Sequence, residues 1–189
     1  MTAHARRRAT YDDVLRTPPH LVAEVVYGAL HTQPRPALRH AAASSHLGGL
    51  LFSPFRFGSG GPGGWVLYDE PELHLGDEPD ILVPDLAGWR RERLAHEPAD
   101  APWTAVPPDW ICEVLSPSTQ ALDRAEKMDI YLRERVAHVW LVDPIARTLE
   151  VYRHGGDLWH RLAVYHGDAR IRAEPFDAVE LPLGVLWER

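Results

Sequence analysis

Ile81-Leu82-Val83-Pro84-Asp85 and, further on, Trp110-Ile111-Cys112-Glu113-Val114-Leu115 decide how this chain is read. Each is a short apolar run that carries a single carboxylate and has prolines at its margins. A run of that length between turn signals reads as a buried strand. A carboxylate on such a strand is costly unless something cationic meets it. Directly behind the second run, Ser116-Pro117-Ser118-Thr119 opens a helix, with Ser118 or Thr119 as its cap. That helix extends to about Arg135 on an apolar stripe of Ala121, Ala125, Met128, Leu132 and Val136, and it carries Lys127. Two strand acids followed by a helical lysine point to a divalent-metal site.

Working outward, residues 139–142 form another buried strand, closed by Asp143-Pro144. A helix between two strands is a crossover, so the strands of Glu113 and Trp140 are expected to be parallel neighbours. Upstream, Thr10 caps a short helix with Asp12 and Asp13 in its first turn, ending before Pro18-Pro19. Residues 21–27 read as a strand that turns at Gly28 into a second one over 29–32. Glu24 is the one charge in the first, and an outward-facing or edge position explains it as readily as a functional one. Residues 35–51 are small and apolar at helical spacing, a slim helix able to pack closely on a sheet. His40 and His46 on it do not share a face, so they offer no metal-binding pair. A glycine-rich connection at 58–64 precedes strands at 65–68, 73–75 and 81–83, and residues 90–108 form a long polar loop. The last part alternates as hairpins at 148–152, 157–165, 170–172 and 179–186.

These elements describe an α/β fold, a central mixed sheet flanked by helices with C-terminal antiparallel hairpins. At 189 residues the chain suits a single domain, with a core at about 11–152 and a hairpin extension at 153–189. The net charge of −7 argues against a protein that coats nucleic acid non-specifically, although Arg90, Arg91 and Arg93 form a local basic cluster. One cysteine, Cys112, excludes an internal disulfide and fits a reducing compartment. Arg6-Arg7-Arg8 has no apolar stretch behind it and no run is long enough to span a membrane, so a cytoplasmic protein without a membrane partner is expected.

Mg²⁺ takes oxygen ligands from one or two carboxylates and keeps several waters, and Asp85 and Glu113 on adjacent strands could meet that need. A lysine nearby could position an attacking water or stabilise the transition state as a point charge. Lys127 is the only lysine in the chain. Asp123, Lys127 and Tyr131 follow one another at four-residue spacing along one helix flank. By spacing alone, a plain surface ion pair between Asp123 and Lys127, worth about 0.3 to 0.5 kcal/mol, is favoured over a catalytic role.

Pro84-Asp85, then Cys112 to Thr119 with Glu113 at its head, Asp123, Lys127, Tyr131 and Trp140-Leu141-Val142-Asp143-Pro144 resemble the signature of the Uma-two family. These are restriction-endonuclease-like proteins of the PD-(D/E)XK nuclease superfamily. Glu24 with Gly28, and His40 opening the long helix, match the N-terminal part of the pattern. The resemblance spans about residues 11–152. It implies a restriction-endonuclease-like core, Mg²⁺ (with Mn²⁺ as an alternative) held by Asp85 and Glu113, and hydrolysis of DNA phosphodiesters. Glu24 would be a helping acid and Lys127 the catalytic lysine moved onto the helix. It also allows a homodimer, for which the terminal hairpins offer edges. The superfamily's usual lysine, two residues after the second acid, is Leu115 here; either Lys127 replaces it in space or the role is absent. The family's usual glycine before Val136 is Arg135. Three functional readings follow: a metal-dependent endonuclease, a catalytically silent nuclease-like fold that binds DNA or a protein, or a metal-dependent hydrolase of another phosphoester that shares the site and differs only in substrate.

Overall fold

The computed structural model describes residues 7–98 and 100–188; Arg6, which opens the basic N-terminal run, lies outside them. The expected first helix is present as α1 (Tyr11–Leu15), where the Thr10 N–H donates to Asp13 Oδ2 at 2.9 Å. It leads into β1 (Leu21–Val26) and β2 (Ala29–Pro34), a hairpin turning through Tyr27 and Gly28, both at positive φ. The long helix is α2 (Leu38–Leu51), extended by a wider π turn at Phe52–Arg56 where Pro54 interrupts the ladder. Then come β3 (Trp65–Asp69), β4 (Leu73–Leu75) and β5 (Asp80–Leu82).

Sequence reading left residues 86–89 without an element, and the structure makes them a strand, β6 (Leu86–Arg90). Gly88 and the central tryptophan spoil the usual signal, yet Leu86, Ala87, Gly88 and Trp89 are all buried. The glycine is required by packing, since a Cβ there would lie 2.6 Å from Leu67 Cδ2 and 3.3 Å from both Trp65 and Trp110. The long loop that follows is irregular, held where Thr104 bridges to Leu73, where the Trp89 indole N–H donates to the Val106 carbonyl at 2.9 Å, and where Arg93 pairs with Asp109 at 2.8 Å. After it come β7 (Trp110–Val114), α3 (Gln120–Leu122), a π turn at Asp123–Lys127, α4 (Met128–Arg133) and β8 (His138–Asp143). The expected single helix is therefore broken by one wide turn, and it ends at Arg135, held at φ +60°. The hairpin β9 (Thr148–His154) and β10 (Trp159–His166) follows, then the short pair β11 (Arg170–Ile171) and β12 (Leu181–Pro182). The last expected strand gives way at Pro182 to a 3₁₀ turn over Leu183–Trp187.

The main sheet has the order β10-β9-β8-β7-β6-β3 and is mixed: β7 and β8 are parallel, as the crossover rule requires, and the other pairs are antiparallel. A second, four-stranded sheet runs β2-β1-β5-β4. Along β7 the side chains alternate between two cores. Trp110, Cys112 and Val114 join α2 and the C-terminal segment around Phe176, while Ile111 and Leu115 join α4 and the second sheet. Glu113 shares the face of Ile111 and Leu115, so it points at the helix that carries Lys127. No helix among the described residues is long and apolar enough to cross a membrane.

Candidate active site

Asp85 stands one residue before the Leu86–Cys112 pair, which places it across from Glu113 in the β6–β7 register. Its Oδ2 accepts the Val114 N–H at 2.7 Å, a side chain continuing the ladder that β6 has not yet begun. β5 stops just upstream because Pro84 has no N–H and the Val83 N–H donates to Glu24 Oε1 at 2.8 Å. Glu24 is thus not an outward or edge charge. It is 2% exposed in the middle of β1, and the same Oε1 lies 2.9 Å from Lys127 Nζ.

Lys127 is the hub. It is 2% exposed, and besides Glu24 its Nζ lies 2.8 Å from Glu113 Oε1 and 3.5 Å from Asp123 Oδ1. The Asp123–Lys127 pair exists, but it is buried and shared with two further acids, so the surface-pair reading is overturned. The wide turn at Asp123–Lys127 turns both side chains inward together. Tyr131, one turn on, donates its hydroxyl to Glu113 Oε1 at 2.5 Å. Leu115 meanwhile packs in the apolar cluster with Met128 and Tyr131. A lysine at 115 is absent, and the helix supplies an ammonium beside the same carboxylate.

Sequence reasoning named Glu24, Asp85, Glu113 and Lys127; three residues it did not assign complete the group. His40 Nε2, from the first turn of α2, lies 3.3 Å from Asp85 Oδ1. Asp123 and Tyr131 stand out in the sequence through their spacing and the family signature, with no role assigned to either. The weak signal for His40 was its place at a helix start among small residues, where a half-buried ring has no apolar reason to be.

Electrostatics show what the group lacks. Burial pushes the Glu113 carboxyl well above its usual range; Lys127 pulls it back, and Asp123, Asp85 and Glu24 push it up again. Asp123 is raised mainly by burial, against the pull of Lys127. Burial works against the Lys127 charge, but Glu113, Glu24, Tyr131 and Asp123 outweigh it and hold the ammonium firmly protonated. His40 is likewise raised: burial opposes its charge, and the hydrogen bond and charge of Asp85 overcome it. Three carboxylates surround Lys127 and a fourth, Asp85, faces His40, so the site is short of positive charge.

That shortage, with the donor set, is the test for a divalent cation. Glu113 Oε1 is taken by Lys127 and Tyr131, while no hydrogen bond or ion pair among the described residues engages its Oε2. Asp85, Glu113, Asp123, Lys127 and His40 all line one cleft of about 260 Å³, with Ser116, Ser118 and Thr119 on its wall. Among the described residues no three His, Cys, Asp or Glu side chains are grouped to hold a metal. The protein can therefore offer one or two carboxylates, the share that Mg²⁺ takes when waters and substrate phosphate complete its shell. The residues present fit such an ion.

The chain aligns over 95% of its length with 97% of a solved chain from Anabaena variabilis ATCC 29413, described as "a putative nuclease belonging to DUF820", at TM-score 0.75 and 23% identity. That likeness establishes a shared fold. No curated protein matches. The family described as "Putative restriction endonuclease", Uma2, matches residues 8–184. With a nuclease-like fold and a match over nearly its whole length, this chain belongs to the Uma2 (Uma-two) family of restriction-endonuclease-like proteins.

Proposed function

We propose that this protein is a divalent-metal-dependent endonuclease that hydrolyses DNA phosphodiester bonds, with Mg²⁺ as its ion and Mn²⁺ as a substitute. The observation that carries this reading is Lys127 Nζ, supplied from the helix, at 2.8 Å from Glu113 Oε1. Asp85 and Glu113 would hold the ion, Glu113 through its free Oε2. A divalent cation bound there would neutralise charge on the phosphoryl group and lower the pKa of a water.

The chain's own residues do the rest. Lys127 stays protonated, so it serves as a fixed positive charge beside the phosphoryl group and not as a base. Glu24 clamps that ammonium from below, itself held by the Val83 N–H. Tyr131 fixes the orientation of Glu113, and His40 with the Val114 N–H fixes that of Asp85. The substrate's phosphate would enter through the cleft wall of Ser116, Ser118 and Thr119, whose hydroxyls can donate to it. We take the working form to be a cytoplasmic homodimer; the main sheet ends in β3 and β10, strands with one free edge each.

The test is incubation with supercoiled plasmid and Mg²⁺ or Mn²⁺, beside Asp85→Ala. Nicking by wild type that Asp85→Ala abolishes is the expected result. A wild-type protein that leaves plasmid intact across those metals, or a variant that nicks equally well, ends the enzyme reading and leaves the silent nuclease-like fold.

A further inference from the structure

We infer that a second cavity, on the other side of the segment 69–72 from the catalytic cleft, binds an organic cation carrying a guanidinium or ammonium group. Glu70 lines the catalytic cleft, while Asp69 and Glu72 line the second cavity, of about 410 Å³. Its size falls in the usual range for a small-ligand site, about 300 to 1,000 Å³.

Its walls are aromatic and acidic together. Trp89 is fully buried, and its ring centroid is 6.0 Å from that of Tyr68, which remains 42% exposed. Trp103 stacks on His74 at 4.3 Å between centroids and 9° between planes, yet keeps 39% exposure. The stack is rigid: His74 Nε2 lies 2.8 Å from Glu72 Oε1, the His74 N–H donates to the Thr104 carbonyl at 2.9 Å, and the Thr104 N–H donates to that of Glu72 at 3.1 Å. Two large rings are therefore held open at a concave surface, a position in which an apolar ring would otherwise bury itself.

Charge selects the ligand. Among the described residues the Asp69 and Glu97 carboxylates, which both line the cavity, have no hydrogen-bond or salt-bridge partner. A ring face attracts a cation through its quadrupole, and a carboxylate beside it adds a direct attraction. A nucleic-acid strand would bring phosphates against these same carboxylates, which disfavours a nucleobase as the occupant. One face of the Tyr68 ring already carries a guanidinium, the Arg56 Cζ lying 5.2 Å from its centroid, so a bound cation would meet Trp103 and the remaining face of Tyr68.

The site is tested on the full chain by following the Trp103 indole N–H signal, assigned through Trp103→Phe, during titration with argininamide, tetramethylammonium and spermidine. A saturable shift is expected with argininamide or tetramethylammonium. The double variant Asp69→Asn/Glu97→Gln should weaken it by about tenfold or more, with unchanged thermal unfolding, while Asp85→Ala leaves it unaltered. Tighter binding of a short arginine-containing peptide than of spermidine assigns the cation to a protein side chain; the reverse order assigns it to a free polyamine. The inference is overturned if no cation shifts Trp103, if the double variant binds as wild type does, or if uncharged 2′-deoxycytidine shifts it as strongly. None of these outcomes bears on plasmid nicking, so this inference and the nuclease reading stand or fall separately.

Discussion

Replacing Lys127 by methionine keeps most of the side chain's length and removes its charge together with its N–H donors. Three carboxylate oxygens, at 2.9 Å on Glu24, 2.8 Å on Glu113 and 3.5 Å on Asp123, then share a buried space with no cation. Removing one partner of a buried pair costs about 3 to 5 kcal/mol, against less than about 1 kcal/mol for an exposed pair. For a chain of this size each kcal/mol moves Tm by about 2 to 4 °C, so the variant should melt about 6 to 20 °C below wild type. Calorimetry in EDTA, which keeps metal out of the comparison, measures this directly. The pH dependence is the sharper part. Glu113 already sits above its ordinary pKa of 4.5 from burial, and without Lys127 its folded pKa rises further. A group with a raised folded pKa adds stability at low pH and loses it as pH climbs through that value. The deficit of Lys127→Met should therefore be widest near pH 8 and shrink steadily toward about pH 5. Adding Glu113→Gln should recover part of it at neutral pH, since one of the stranded charges is gone. A loss below about 1 kcal/mol, or a gap that stays constant over that pH range, would refute the buried-hub account.

Other consequences are more local. Tyr131→Phe removes the hydroxyl that holds Glu113 Oε1, and should cost about 1 to 3 kcal/mol in urea unfolding while raising the metal concentration needed for activity. At Glu150 burial opposes ionisation, but hydrogen bonds from Arg124 and Tyr152 outweigh it and leave its pKa below the ordinary 4.5. A lowered folded pKa gives stability above the unfolded value that disappears as pH falls through the folded one. Glu150→Gln should then be less stable by about 1 to 2 kcal/mol at pH 7 and indistinguishable from wild type in acid, as read by Tm across pH. Arg135 occupies φ +60°, a backbone region that suits glycine, so Arg135→Gly should stabilise the chain by about 1 kcal/mol, seen as a small rise in urea midpoint.

The parallel pairing of β7 with β8 was legible because a helix lies between two apolar runs, and handedness and connection length leave no other economical topology. Glu113 was legible for a related reason: a carboxylate within a buried strand needs a partner wherever it sits. β6 was not legible, because its glycine is chosen by the side chains of Trp65, Leu67 and Trp110 across the sheet, and local propensity registers only the loss. The wide turns at Phe52–Arg56 and Asp123–Lys127 were equally hidden, since each shifts the helical face by one residue over a stretch too short for periodicity to register.

From the sequence alone came two acids at apolar runs and the lone lysine on the following helix, consequences of short-range periodicity. Asp85 itself stands in the bend between β5 and β6, and it is the β6–β7 pairing, not the strand at 81–83, that sets it beside Glu113. Whether that lysine meets the acids depends on a few ångströms of helix placement. A pair at four-residue spacing looks the same whether the helix flank faces water or a sheet. Tertiary packing decided it: Leu115, Met128 and Tyr131 bury that flank against β7, and Glu24 arrives from a strand 103 residues earlier to close around Nζ. Burial then turned a spacing worth tenths of a kcal/mol into the centre of the site.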